Sequence, residues 1–140
     1  MKRFLNIILI AFAFLLANVN SMQSQIFSGS YTTFYATSYA YASVNAYTGS
    51  YSWSNWYDCS VKIVVDFEND IVIIYSNKTQ YYKVLSTASD QYDRDGGRQM
   101  IFNVIDAEDD IGTLRFRVTP RGDKQLYVDF RNVAWVYNIY

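Results

Sequence analysis

The chain contains no histidine. That absence removes the usual general base near neutral pH and the commonest transition-metal ligand, so Ser-His and Cys-His catalysis are excluded within this chain. The single cysteine, Cys59, has no partner for an intramolecular disulfide and cannot build a cysteine-rich zinc site. Beside Val61 it is expected to pack as a small apolar side chain. Charge of either sign is scarce: 12 Lys and Arg stand against 13 Asp and Glu, a net charge of −1. No cationic footprint for nucleic acid follows from that balance. From Phe4 through Tyr57 no charged residue occurs at all.

What is present begins with a leader. Met1-Lys2-Arg3 is followed by an apolar run from Phe4 to Ala17, broken only by Asn6, and then by the polar, small-residue region Asn18 to Gln25. This is the layout of a secretory signal peptide. The run is shorter than the roughly 20 residues that span a bilayer, so no stable membrane span is expected in the mature chain. Cleavage after Ser21 or after Ser24 fits equally, and the leader is taken as 1–24. The expected location is secreted or periplasmic.

The clearest structural signal lies between Ser60 and Ser76. Val61, Ile63, Val65 and Phe67 alternate with Lys62 and Asp66; Glu68-Asn69-Asp70 breaks the run; Ile71, Ile73 and Tyr75 resume it. Alternation, polar turn, alternation is the pattern of a β-hairpin with one apolar face. The same pattern recurs to the end of the chain. Thr79 to Ser86 reads as a strand, Thr87 to Arg98 as a long polar loop closed by Asp95-Gly96-Gly97, and Met100, Phe102 and Val104 as another strand. Thr113 to Thr119 puts Leu114, Phe116 and Val118 on one face and Arg115 and Arg117 on the other. Pro120-Arg121-Gly122-Asp123 turns the chain, Leu126, Val128 and Phe130 follow, and Val133, Trp135, Tyr137 and Ile139 form the last strand. The expected fold is all-β: an antiparallel meander of about eight to ten short strands forming a β-barrel or a β-sandwich.

Between the leader and the hairpin, 25–58 is an uncharged Tyr/Ser-rich β segment, and with the antiparallel β core at 59–140 it makes one domain. Seven of its aromatic residues fall on odd positions (Tyr31, Tyr35, Tyr39, Tyr41, Tyr47, Tyr51, Trp53) and seven of its small residues on even ones (Ala36, Ser38, Ala40, Ala42, Ala46, Ser50, Ser52). The composition is poor for helix and good for strand. Two or three strands are expected, broken near Ser43 to Asn45 and at Thr48-Gly49-Ser50. The tyrosines can serve as packing with hydroxyls at the rim, as a recognition face, or as a surface for pairing with another copy.

Two acidic clusters, Asp90, Asp93 and Asp95, and Asp106, Glu108, Asp109 and Asp110, flank the Gln99–Ile105 strand. They lie about 20 Å apart at ~3.3 Å per residue, and neither has EF-hand spacing, so solvated turn acids are the expected role. No carboxylate pair has the setting of a glycosidase. Arg121-Gly122-Asp123 sits at an expected hairpin tip, where turn chemistry accounts for it. No catalytic residue, metal ligand or cofactor is assigned, and the chain is not expected to be an enzyme.

The residues best suited to contact a ligand are Tyr51, Trp53, Trp56 and Tyr57, because exposed rings stack on sugar faces and small apolar ligands. They point to a secreted non-catalytic binding module for a glycan or another extracellular ligand or protein partner. The alternatives are a structural protein that assembles, as a homo-oligomer or with a partner, by strand pairing through the Tyr/Ser-rich segment, and a lipocalin-like carrier of a small ligand. The leader, the Val61 to Tyr75 hairpin and the ending Gln125-Leu126-Tyr127 through Val136-Tyr137-Asn138-Ile139 resemble small secreted β proteins of crAss-like bacteriophages and the gut bacteria they infect. That resemblance implies an extracytoplasmic, bacterial or phage-derived setting and carries no known activity.

Overall fold

A computed structural model describes residues 26–140, without the side chains of 89–91; the leader expected at 1–24 lies outside the described residues. Nine strands run in chain order: β1 (Tyr31–Val44), β2 (Tyr51–Trp53), β3 (Tyr57–Asp66), β4 (Ile71–Tyr75), β5 (Gln80–Tyr92), β6 (Arg98–Asp106), β7 (Ile111–Val118), β8 (Lys124–Asp129) and β9 (Val133–Ile139). Every pairing is antiparallel, and β1 pairs with both β3 and β9. The sheet therefore closes into a barrel of eight strands, with β2 as an extra strand on the far half of β1. Closure decides between the barrel and the sandwich that alternation alone leaves open.

An eight-stranded barrel is just wide enough for side chains to fill it. Phe34, Ile63, Val65, Val72, Ile74, Phe102, Val104, Leu114, Phe116, Leu126 and Val128 do so. Phe27 closes one end: its ring meets Phe34, Phe67, Phe102 and Phe116 edge-on, at centroid separations from 4.9 to 6.1 Å. Burying rings this way at roughly 25 cal/mol per Å² makes the hydrophobic term large for so small a domain. Lys62, Lys83, Arg115 and Arg117 face outward in register with their neighbours. Apolar inside and charged outside is the reverse of a membrane-spanning barrel. Among the described residues no helix is long and apolar enough to cross a membrane.

Two turns account for four of the acidic residues. Asp66 accepts hydrogen bonds from the Glu68 and Asn69 amides and from the Asn69 side chain, and the turn closes with Asp70 at φ 54°. Asp106 accepts from the Glu108 and Asp110 amides in the same way, with Asp109 at φ 66°. Aspartate serves both jobs because its short side chain binds the backbone ahead of it and tolerates the left-handed region.

Two details depart from the sequence pattern. The stretch expected as a long loop from Thr87 is strand as far as Tyr92, because β5 follows β6 through register shifts after Val84 and after Thr87. The shifts hide it, since they break the alternation on which a strand is recognised. The second departure is in β1. Ala36 pairs with Ile139, but Ser38 pairs with Asn138, so Thr37 is an extra residue against β9. Before it, Phe34 and Ala36 point inward and Tyr31 and Tyr35 outward; after it, Tyr39 packs against the core and Ala40 and Ala42 turn outward. The aromatic and small faces therefore exchange sides halfway along the strand.

Candidate binding site at the open end of the barrel

Opposite the Phe27 plug, the barrel opens into a cavity of about 830 Å³. Its position follows from a short strand. β4 has 5 residues between β3 with 10 and β5 with 13. Pairing of β3 with β4 runs only from Lys62 to Asp66, so the first half of β3 rises past the end of its neighbour. The cavity fills that notch. One wall is Asp58 to Val61, the other Tyr75 to Tyr82, and Tyr39, Trp135 and Tyr137 line it from β1 and β9.

A polar network crosses the aromatic lining. The Tyr82 hydroxyl donates to Gln80 Oε1 at 2.7 Å, and Gln80 Nε2 donates to Ser76 Oγ at 2.9 Å and to the Tyr137 hydroxyl at 3.3 Å. Burial pushes the Tyr82 phenol far above the ordinary value of 10.0, helped by the charges of Tyr137 and Asp106. Burial also raises Tyr137, offset in part by hydrogen bonding from Gln80 and by the Trp135 indole. Trp135 Nε1 is itself buried without a partner in hydrogen-bond geometry among the described residues. Both phenols stay neutral at physiological pH, so they can donate and accept hydrogen bonds within the lining. The Cys59 thiol lies 3.7 Å from the Ala36 carbonyl, and burial, then the neighbouring Asp58, raises its pKa. It is half-buried and held in the protonated form, the opposite of a reactive thiolate.

The rim is acidic. Asp58, Asp106 and Glu108 border the cavity against one cation, Lys78, whose ammonium lies 3.9 Å from Glu108. Asp106 is committed to its own turn, and Asp58 is exposed. Among the described residues no group of three or more His, Cys, Asp or Glu side chains is placed to hold a metal ion.

The expected contact residues separate into two groups. Tyr57 stacks on Tyr41 at 6.0 Å and lies 5.6 Å from Tyr39, both of which line the cavity. Trp56 stands 49% exposed at the junction of β2 and β3. Tyr51 and Trp53 stack at 5.8 Å on the outer surface, where Trp53 pairs with Ala42 and meets the Tyr127 ring edge-on. Beneath that side lie the outward but buried Ala40, Ala42, Ala134 and Val136. Trp53 is still 43% exposed, yet its neighbours make it the cover of a small-residue floor. Arg115 lies 4.1 Å from the Tyr127 ring centroid and continues the row.

In the sequence Gln80 and Tyr82 fall within one expected strand, Thr79 to Ser86, and Trp135 and Tyr137 within another. Nothing in the sequence marks them as one site, because β5 and β9 meet there only through barrel closure. Away from the mouth, Arg117 binds both Asp93 and Asp95, tying the β5–β6 turn to β7. Arg121-Gly122-Asp123 does form the β7–β8 turn, with the Asp123 amide donating to Thr119 Oγ1.

Fold and cavity together define a small closed antiparallel barrel with a packed interior and one aromatic-walled mouth. No protein-family model, curated protein or solved structure matches the chain.

Proposed function

We propose that the protein is a non-catalytic binding module, acting outside the cytoplasm, that takes its ligand in the cavity at the open end of the barrel. The observation that carries this reading is the contrast between the two ends: one is filled by Phe27, the other lined by Tyr39, Tyr82, Trp135 and Tyr137 with the Gln80 amide among them. Aromatic walls with a few fixed polar groups are the usual make-up of a ligand pocket, and the volume lies within the ordinary range of roughly 300–1,000 Å³. Filled core positions below the mouth favour a ligand held at the rim over one carried inside, as a lipocalin would hold it. Removal of the leader at either cleavage position keeps Ile26 and Phe27, the residues that seal the other end.

The test is a fluorescence titration of the mature chain with oligosaccharides, cell-wall fragments, peptides and lipids. A saturable response lost in Trp135→Phe and weakened about tenfold or more by Gln80→Ala, but kept in Trp53→Ala, supports the mouth as the site. A response lost in Trp53→Ala and kept in the other two moves the site to the outer aromatic row. No response from a folded protein refutes the binding reading.

A further inference from the structure

We infer that the ligand of this mouth is an extended peptide carrying basic residues, which adds to the free edge of β3 as an extra short strand. The inference rests on the cavity being the binding site and names the class of molecule it takes. Residues 57–61 are strand, paired on one side with β1, but their other side faces the cavity because β4 stops at Tyr75, opposite Lys62. No backbone hydrogen bond joins this edge to the Ser76–Thr79 turn across the gap.

Exposed edges in stable β proteins are blunted by lysine, proline or an inward charge, since an open row of N–H and C=O groups recruits strands. From Tyr57 to Val61 the edge has no lysine and no proline, and its one charge is Asp58. The edge is also walled. Tyr75 to Gln80 stands on the far side of the groove. A strand laid there would continue the line of β4. Its alternate side chains would point down onto Tyr39, Tyr82, Trp135 and Tyr137 and outward to solvent, which is how strand addition obtains affinity from the backbone and selectivity from pockets.

Charge sets the chemistry of that peptide. Asp58 stands on the β3 wall and Asp106 and Glu108 on the opposite rim; of the two nearby cations, Lys78 is already beside Glu108 and Lys62 lies 5.9 Å from the Tyr75 ring centroid. A Lys or Arg flanking a large apolar residue would meet an acidic rim and an aromatic floor. A neutral glycan could stack on the aromatic floor and donate hydroxyls to the rim carboxylates, but it carries no charge to match them and no backbone ladder to pair along the free edge.

The experiment uses the mature full-length chain and a library of decapeptides alternating Lys or Arg with aromatic or aliphatic residues. The best binder is resynthesised with backbone N-methyl groups on alternate residues, in both registers, and maltopentaose and chitopentaose serve as glycan probes. Strand addition predicts that one N-methylated register loses affinity about tenfold or more while the other keeps it, and that Asp58→Lys weakens the unmodified peptide by a similar factor without altering the thermal unfolding profile. Equal tolerance of both methylated registers overturns strand addition. Binding of a glycan probe with no peptide binding overturns the peptide assignment and leaves the mouth as a binding site. Failure of every probe overturns the peptide assignment, and the wider panel of cell-wall fragments and lipids then decides whether the mouth binds at all.

Discussion

The ring of Phe27 stands at 70° to that of Phe116, with centroids 4.9 Å apart. One comes from the segment before the first strand and the other from β7, so the plug joins the start of the described chain to the middle of the barrel. Phe27→Ala deletes a ring that is 2% exposed. A loss of about 3–5 kcal/mol is expected in urea unfolding, the cost of a large cavity in a packed core. A loss below about 1 kcal/mol would show that the end of the barrel is not sealed by this residue.

Gly112 and Gly122 are predicted to resist alanine for different reasons. A Cβ on Gly112 would come within 2.6 Å of the Asp129 carbonyl and 2.8 Å of the Phe130 ring. Gly112→Ala is therefore expected to cost about 1–3 kcal/mol through overpacking between β7 and its neighbour. Gly122 has open space around it but sits at φ 92°. Gly122→Ala should cost about 1–2 kcal/mol from the backbone alone. Larger side chains should widen the difference, with Gly112→Val far worse than Gly112→Ala and Gly122→Asn milder than Gly122→Ala; chemical denaturation of the four variants checks the order.

Tyr82 and Tyr137, at the mouth, should ionise late in the folded protein. Their folded pKa values are raised by burial, so the neutral phenols stabilise the fold fully below the unfolded value of 10.0 and progressively less as pH rises above it. Ultraviolet titration should show a late phase that coincides with unfolding, and Tyr82→Phe should flatten the loss of stability above pH 10. Ionisation of all tyrosines in one phase with the fold intact would contradict the burial seen at the mouth.

Asp95 carries the opposite sign. Hydrogen bonding from Arg117 comes first among the causes that hold its carboxyl well below the ordinary 3.8, so its contribution is present above that value and lost as pH falls below it. Arg117→Met removes the cation from both Asp93 and Asp95. The expected result is a shallower fall in stability on the acid side of pH 4 than the parent shows. The β5–β6 turn should also exchange its amides faster, and hydrogen exchange near Gly97, whose amide donates to Asp93, reads this directly.

Trp53→Ala should uncover Ala42 and its buried outward neighbours without touching the mouth. Increased binding of a hydrophobic dye with unchanged ligand affinity is the expected pair of results. Loss of affinity with no change in dye binding would reverse the roles given to the two aromatic groups.

Much of this molecule is written in its strands. The β3–β4 hairpin, the β7 alternation and the turns at Glu68-Asn69-Asp70 and Pro120 are legible because each depends on residues within a few positions of one another: a period of two, a run of polar turn residues, a proline fixing φ. The all-β class follows from repeating that unit. Alternation says which side chains share a face, but it carries no information on which strand lies beside which. Only the tertiary structure decided that β1 pairs with both β3 and β9, that Thr37 exchanges the faces of β1, and that β4 ends early beside a rising β3. Those long-range pairings turned one row of tyrosines and tryptophans into two surfaces and gathered Gln80, Tyr82, Trp135 and Tyr137 at a mouth, because closing a barrel joins residues that the chain keeps more than fifty positions apart.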